Sequence, residues 1–115
     1  MRAYELMIII DGALDDLAVD AQVKQVAEQV GTRGGTVVRT DRWGRRRFAY
    51  DIDKKQEGYY TVYELTAQSG DGLEALERSL RLADEIVRHK LVRLPDDEAA
   101  RRGLLGEPAT ATPAS

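Results

Sequence analysis

Arg45, Arg46 and Arg47 stand consecutively, preceded by Arg42, Trp43 and Gly44 and followed by Phe48, Ala49 and Tyr50. Guanidinium groups are permanently charged and fork onto pairs of phosphate oxygens, so three in succession repel one another until solvent or an anion relieves them. The chemistry such a run offers is anion binding. Between Arg39 and Lys55 there are seven basic and three acidic residues, a local charge of +4 that leaves −7 on the rest of a chain of net charge −3. An overall pI near 5.2 does not exclude a polyanionic partner, because binding depends on the local surface. A solvated arginine-rich hairpin without a ligand is the competing reading of the same residues.

Other reactive side chains are sparse. His89 is the single histidine, and no serine, cysteine or carboxylate pair is placed by sequence to work with it as a general base. Asp11, Asp15, Asp16 and Asp20 could be imagined around magnesium, but aspartates in a turn and a first helical turn more simply cap amides and complement the helix dipole. The absence of cysteine excludes a disulfide framework, a thiolate zinc site and a cysteine nucleophile. The expectation is a protein without catalytic residues, metal or other cofactor, and without a small-molecule substrate.

The elements that must hold the arginines follow from hydrophobic patterning. A chain of 115 residues suits one compact domain. Residues 3–10 are apolar apart from Glu5 and rich in strand formers, which predicts a central strand covered on both faces. Val19, Val23, Val26, Ala27 and Val30 repeat at helical spacing behind Asp15 and Asp16, and Gly31, Gly34 and Gly35 end that helix. A second strand begins near Thr36 and runs through a bend at Gly44 to Ile52, with Phe48, Tyr50 and Ile52 alternating against Ala49, Asp51 and Asp53. Such a strand holds the arginines away from the core.

The polar run 53–58 reads as a turn, and residues 59–66 as a third strand with bulk on both faces: Tyr59, Tyr63 and Leu65 on one, Tyr60 and Val62 on the other. A sheet covered on one side needs apolar residues only there, so the surplus marks a contact surface. Asp71 and Glu74 stand at capping-box spacing before a second helix carrying Leu73, Leu76, Leu80 and Ala83. Residues 86–94 read as a fourth strand with Arg88, His89, Lys90 and Arg93 among its apolar residues. From Pro95 the composition predicts a mobile tail, residues 95–115, behind a domain of residues 1–94. Neither a signal-peptide core near Met1 nor a membrane-length apolar stretch is present, so a cytosolic protein without membrane contact is expected.

The order β-α-β-β-α-β is the split βαβ pattern. It predicts a ferredoxin-like α+β fold with a four-stranded antiparallel sheet and two helices on one face. Four stretches then resemble one family: Arg2-Ala3-Tyr4-Glu5, Trp43 through Tyr50, Glu57-Gly58-Tyr59-Tyr60, and Leu80-Arg81 onward to Val87-Arg88-His89. Together they resemble the bacterial small-subunit ribosomal protein six family over residues 1–94. Phe48 replaces the usual leucine, Asp51 stands where proline is frequent, and Asp11-Gly12 lacks a proline common there. The resemblance implies a non-enzymatic, cytoplasmic ribosome component that binds the central domain of small-subunit (16S) ribosomal RNA with small-subunit ribosomal protein eighteen. It implies an RNA and partner surface of Arg2, Arg42, Trp43, Arg45, Arg46 and Arg47, with Arg88, His89, Lys90 and Arg93 as further members.

Two other readings use the same topology. An RNA-recognition motif would place stacking aromatics on the third strand in a basic-glycine-aromatic-small-aromatic pattern, which Glu57-Gly58-Tyr59-Tyr60-Thr61 breaks. A ligand-sensing regulatory domain would explain an apolar open face but gives Arg45-Arg46-Arg47 no purpose.

Overall fold

The structure, a computed structural model, describes residues 1–52 and 54–105. Seven elements follow one another: β1 (Arg2–Asp11), α1 (Asp16–Thr32), β2 (Gly35–Ile52), β3 (Lys55–Ala67), α2 (Asp71–Leu82), β4 (Ile86–Arg93) and α3 (Asp96–Arg101). The strands form one antiparallel sheet in the order β2-β3-β1-β4, as the split βαβ pattern requires.

β1 takes a central place because it is apolar on both faces. Tyr4, Leu6, Ile8 and Ile10 are buried together with Tyr63 and Leu65 of β3, Val19, Val23, Val26 and Val30 of α1, and Leu73, Leu76 and Leu80 of α2. Each such side chain contributes roughly 1.5–3 kcal/mol on leaving water. Tyr63 is wholly buried, and its hydroxyl donates to the Val23 carbonyl oxygen at 2.8 Å. That bond ties α1 to the sheet through a satisfied polar contact, and burial pushes the phenol pKa well up. α1 starts where Asp15 accepts from the Ala18 amide at 2.9 Å, satisfying an otherwise orphaned donor.

β1 ends with Asp11 opposite Gly58, whereas β2 and β3 run on until Ile52 meets Lys55. The two strands therefore leave the body as a two-stranded ribbon, and the molecule's longest dimension is 45 Å. A ribbon open to water on both sides has little to bury, which suits the arginines it carries.

Three details amend the sequence reading. The expected turn over 53–58 is shorter, because β3 already begins at Lys55; in a wet ribbon, pairing needs backbone groups and no apolar pattern. Asp53, assigned to that turn and to the alternation of β2, lies outside the described residues. The capping box of Asp71 and Glu74 does not form: Gly70 is the N-cap, without a side-chain bond, and Asp71 is already helical. The two long helices share one face as expected, and an additional one, α3, packs through Ala99 on Ala3, whose side chain belongs to the opposite face.

α3 also corrects the tail reading for residues 95–105. Asp96, Asp97 and Glu98 occupy its first turn and Arg101 its last, complementing the helix dipole. Gly103 takes φ +74° just past its end; its amide donates to the Ala100 carbonyl at 3.0 Å and that of Leu104 to the Ala99 carbonyl at 2.9 Å. This is the Schellman arrangement, in which a left-handed glycine returns the chain and brings the next apolar residue onto the helix. Leu104 accordingly packs with Ala99, Ala3 and Leu94 in a second small core. Residues 106–115, also assigned to the tail, lie outside the described residues.

Candidate nucleic-acid interface

The sidedness of the arginines is set by a bulge. The β2–β3 register shifts between Arg42 and Gly44, where Gly44 adopts φ +88°, a conformation that costs glycine little. Arg42 and Arg45, three residues apart, would face opposite ways on a regular strand. Across the bulge they pair with Thr61 and Tyr59, which share the helix-covered side. Arg42 donates to Asp20 of α1 at 2.7 Å. Arg45 donates to the Tyr59 hydroxyl at 2.7 Å, and its guanidinium carbon lies 5.2 Å from that ring's centre. Both are engaged by the protein's own side chains.

Arg46 belongs to the open side. It pairs with Gly58, and its guanidinium carbon lies 5.7 Å from the centre of Trp43. Trp43 stacks on Tyr60 at 6.2 Å and 8° between planes, donates its indole N–H to Asp41 at 3.0 Å, and remains 46% exposed. Phe48 meets Tyr60 edge-on at 6.2 Å. Lying over the ring restrains the arginine's direction at little entropic cost. Arg47 is opposite Glu57 on the exposed ribbon. Neither Arg46 nor Arg47 pairs with a carboxylate among the described residues.

Across the open face the register lays out rows of side chains. One row runs Gly44, Tyr60, Ile9, Arg88; the next runs Asp41, Val62, Met7, Lys90; a third runs Arg39, Glu64, Glu5, Val92. An apolar band of Tyr60, Ile9, Val62 and Met7 thus lies between Gly44 and Asp41 of β2 on one edge and Arg88 and Lys90 of β4 on the other. The glutamates of the third row sit side by side and share two arginines. Arg39 pairs with Glu64, and Arg102, arriving from beyond α3, reaches Glu5 at 2.9 Å and Glu64 at 3.0 Å. A groove of about 400 Å³ lies beside them, lined by Glu5, Arg39, Thr40, Asp41, Trp43, Val62 and Glu64.

The ten residues singled out by sequence do not form one cluster. Arg42, Trp43, Arg45, Arg46 and Arg47 share the ribbon, on two sides; Arg88 and Lys90 face the open side at the opposite edge. Arg2 and Arg93 lie in register with the helix-facing positions of β1 and β3, Arg93 opposite Tyr4. His89 points at α2, its Nε2 3.2 Å from Glu77, with 12% of its side chain exposed. Arg39 and Arg102, which organise the open face, were not singled out, although Asp96-Asp97-Glu98 before Gly103-Leu104 signals the short helix that delivers Arg102.

The aspartates near α1 have local duties. Asp11 accepts from the Ala13 amide and pairs with Lys55, which hold its carboxyl below the usual range; Asp15 caps the helix; Asp20 meets Arg42. Among the described residues no group of three or more histidines or carboxylates is arranged for a metal, and no helix is long and apolar enough to cross a membrane. Tyr60, where a stacking RNA reader would need a free ring, is flanked by Trp43 and Phe48.

Comparison with known proteins agrees over the four-stranded sheet and its two long helices. The family model described as Ribosomal protein S6 matches residues 3–93. The small ribosomal subunit protein bS6 of Corynebacterium glutamicum is 47% identical over 94 residues, covering 82% of this chain and 98% of that protein. That of Paenarthrobacter aurescens is 44% identical over 98 residues, covering 85% and 95%. The crystal structure of 30S ribosomal protein S6 from Thermotoga maritima superposes with a TM-score of 0.80 at 33% identity, covering 90% of this chain and 97% of that one. The C-terminal domain of the MgtC protein from Mycobacterium tuberculosis, at TM-score 0.54 and 15% identity, shares the fold alone. On this evidence the chain belongs to the ribosomal protein S6 family, non-enzymatic constituents of the small subunit of the cytoplasmic ribosome.

Proposed function

We propose that this protein binds the central domain of small-subunit ribosomal RNA jointly with small-subunit ribosomal protein eighteen, and that the exposed arginines of the β2–β3 ribbon carry the phosphate contacts. The observation that carries this is the division among the arginines: Arg42 and Arg45 are held by Asp20 and Tyr59, while Arg46, directed by Trp43, and Arg47 make no carboxylate pair among the described residues. Arg88 and Lys90, on the open side of β4, add a second basic margin. Arg2, His89 and Arg93 are weaker members, and His89 already faces Glu77.

A net charge of −3 opposes approach of the chain as a whole to RNA, so a second protein that joins both surfaces raises the effective concentration of each for the other. The apolar band between the margins gives that protein a place to sit. The test is a titration of central-domain RNA with this protein, with protein eighteen and with both, over a range of salt. Cooperative binding is expected, with a salt slope that flattens by roughly 0.7 to 0.9 per phosphate contact removed. Equal affinity with and without the partner would refute the joint site.

A further inference from the structure

We infer that residues 95–105 form a displaceable clasp on the open face, in which Arg102 stands in for an arginine of the partner protein. The inference rests on the reading that this face receives a protein, and it adds the chemistry of the docked segment and the step that admits it.

Arg102 is surrounded by acids. Its guanidinium reaches Glu5 at 2.9 Å, Glu64 at 3.0 Å and Glu98 at 2.7 Å. Glu98 travels with Arg102 on the same segment, but Glu5 and Glu64 belong to the centre of the sheet, beside the groove under Trp43. With the clasp lifted, the carboxylates of Glu5, Glu64 and Asp41 line that groove against the single cation Arg39, leaving it two positive charges short. Trp43 and Val62 line it as well. Carboxylates beside an aromatic ring fit a guanidinium better than any other side chain, because that group forks onto paired oxygens and stacks on a ring at once. The occupant assigned by charge is therefore an extended arginine-bearing segment.

The hold on the clasp is shallow enough to yield. Its apolar anchor is the small cluster of Ala3, Leu94, Ala99 and Leu104, apart from the main core. Its remaining tie is Arg39, which donates to the Arg102 carbonyl at 2.8 Å. An incoming arginine would replace the Arg102 guanidinium on the same two glutamates while the sheet and the main core stay unchanged, so exchange costs only the packing of the small cluster.

The experiment uses the full chain and hexa-arginine amide as the probe, read by the fluorescence of Trp43, the only tryptophan. Arg102→Ala removes the internal guanidinium, and Leu104→Asn lifts the clasp by its apolar anchor with Arg102 intact. Each is expected to bind the peptide roughly tenfold more tightly than the unaltered protein, the effect of one recovered charge-assisted contact. Adding Glu5→Gln and Glu64→Gln to Arg102→Ala is expected to abolish the gain. Amide exchange should show lost protection at Arg102, Gly103 and Leu104 in the first two variants, with β1 unaffected. No gain in either variant despite lost protection overturns the inference, as does retained protection in both. A gain that survives removal of the two glutamates overturns it too, since the peptide then binds elsewhere. The outcome is independent of the RNA titration: failed cooperativity there leaves the peptide result standing, and the reverse also holds.

Discussion

Two arginine-bearing segments of this protein meet opposite fates. On the β2–β3 ribbon, Arg46 and Arg47 project into solvent, steered by an aromatic ring and by distance from the body. In the clasp, Arg102 is enclosed by three carboxylates, and Arg101 pairs with Glu98. The side chain is the same; what differs is the supply of acid within reach. An arginine surrounded by its own protein's glutamates organises structure, whereas one raised above an acid-poor ribbon remains available to an external phosphate.

That contrast is broken most severely at the clasp's apolar anchor. Leu104→Ala is expected to cost about 2 kcal/mol of docking, the low end for a buried leucine truncation because the cluster is small. Loss of amide protection at residues 102–104 would report it, with the main core unmoved; unchanged protection would show that the salt bridges alone hold the segment. On the ribbon, Arg46→Ala with Arg47→Ala is expected to lower RNA affinity roughly ten- to thirtyfold near 0.1 M salt and to flatten the salt slope. The melting temperature should not move. The pair Arg42→Ala and Arg45→Ala should do the reverse, and equal RNA effects from both pairs would erase the distinction drawn between them.

Smaller effects sharpen the comparison. Arg102→Ala is expected to lower stability by about 1 kcal/mol, since its pairs are only partly buried. Denaturant unfolding would measure this. Acid should loosen the clasp: Arg102 and Arg101 hold the Glu98 carboxyl below the usual range. A depressed carboxyl contributes stability above its unfolded pKa and loses it as pH falls through the lowered folded value. Exchange protection of residues 102–104, followed from neutral pH downward, should therefore fade in acid, and Glu98→Gln should remove that part of the pH dependence.

The sheet and the two long helices are legible in the sequence because burial imposes period. Ile8 and Ile10, Val19 through Val30, and Leu73 through Leu80 repeat as their elements require. What escapes is whatever burial does not dictate. The onset of β3 at Lys55 lies in a solvent-washed ribbon, where no apolar alternation is needed. α3 is six residues long, too short to show a helical period, and only its acidic start and glycine stop betray it. The arginine run was legible as a feature, but its sidedness was not. The one-residue shift at Gly44 decides which guanidinia meet α1 and which meet Trp43, and a glycine announces a bulge without fixing its register. The pairing of Glu5 and Glu64 with Arg102 joins residues from β1, β3 and the segment after α3, and no local pattern links them.

The central position of β1 has a consequence in time. β1 is the first strand in the chain, yet its two neighbours are β3 and β4, the latter ending at Arg93. A ribosome adding about 5–20 residues per second therefore leaves this apolar strand without one of its neighbours for roughly 4 to 16 s after its own last residue is joined. During that interval its exposed edge and the row Met7-Ile8-Ile9-Ile10 are open to whatever binds nascent apolar chain. The sheet is complete only when the edge strand β4 joins β1, so one of the most buried segments of the finished protein is also the one most dependent on protection while it is made.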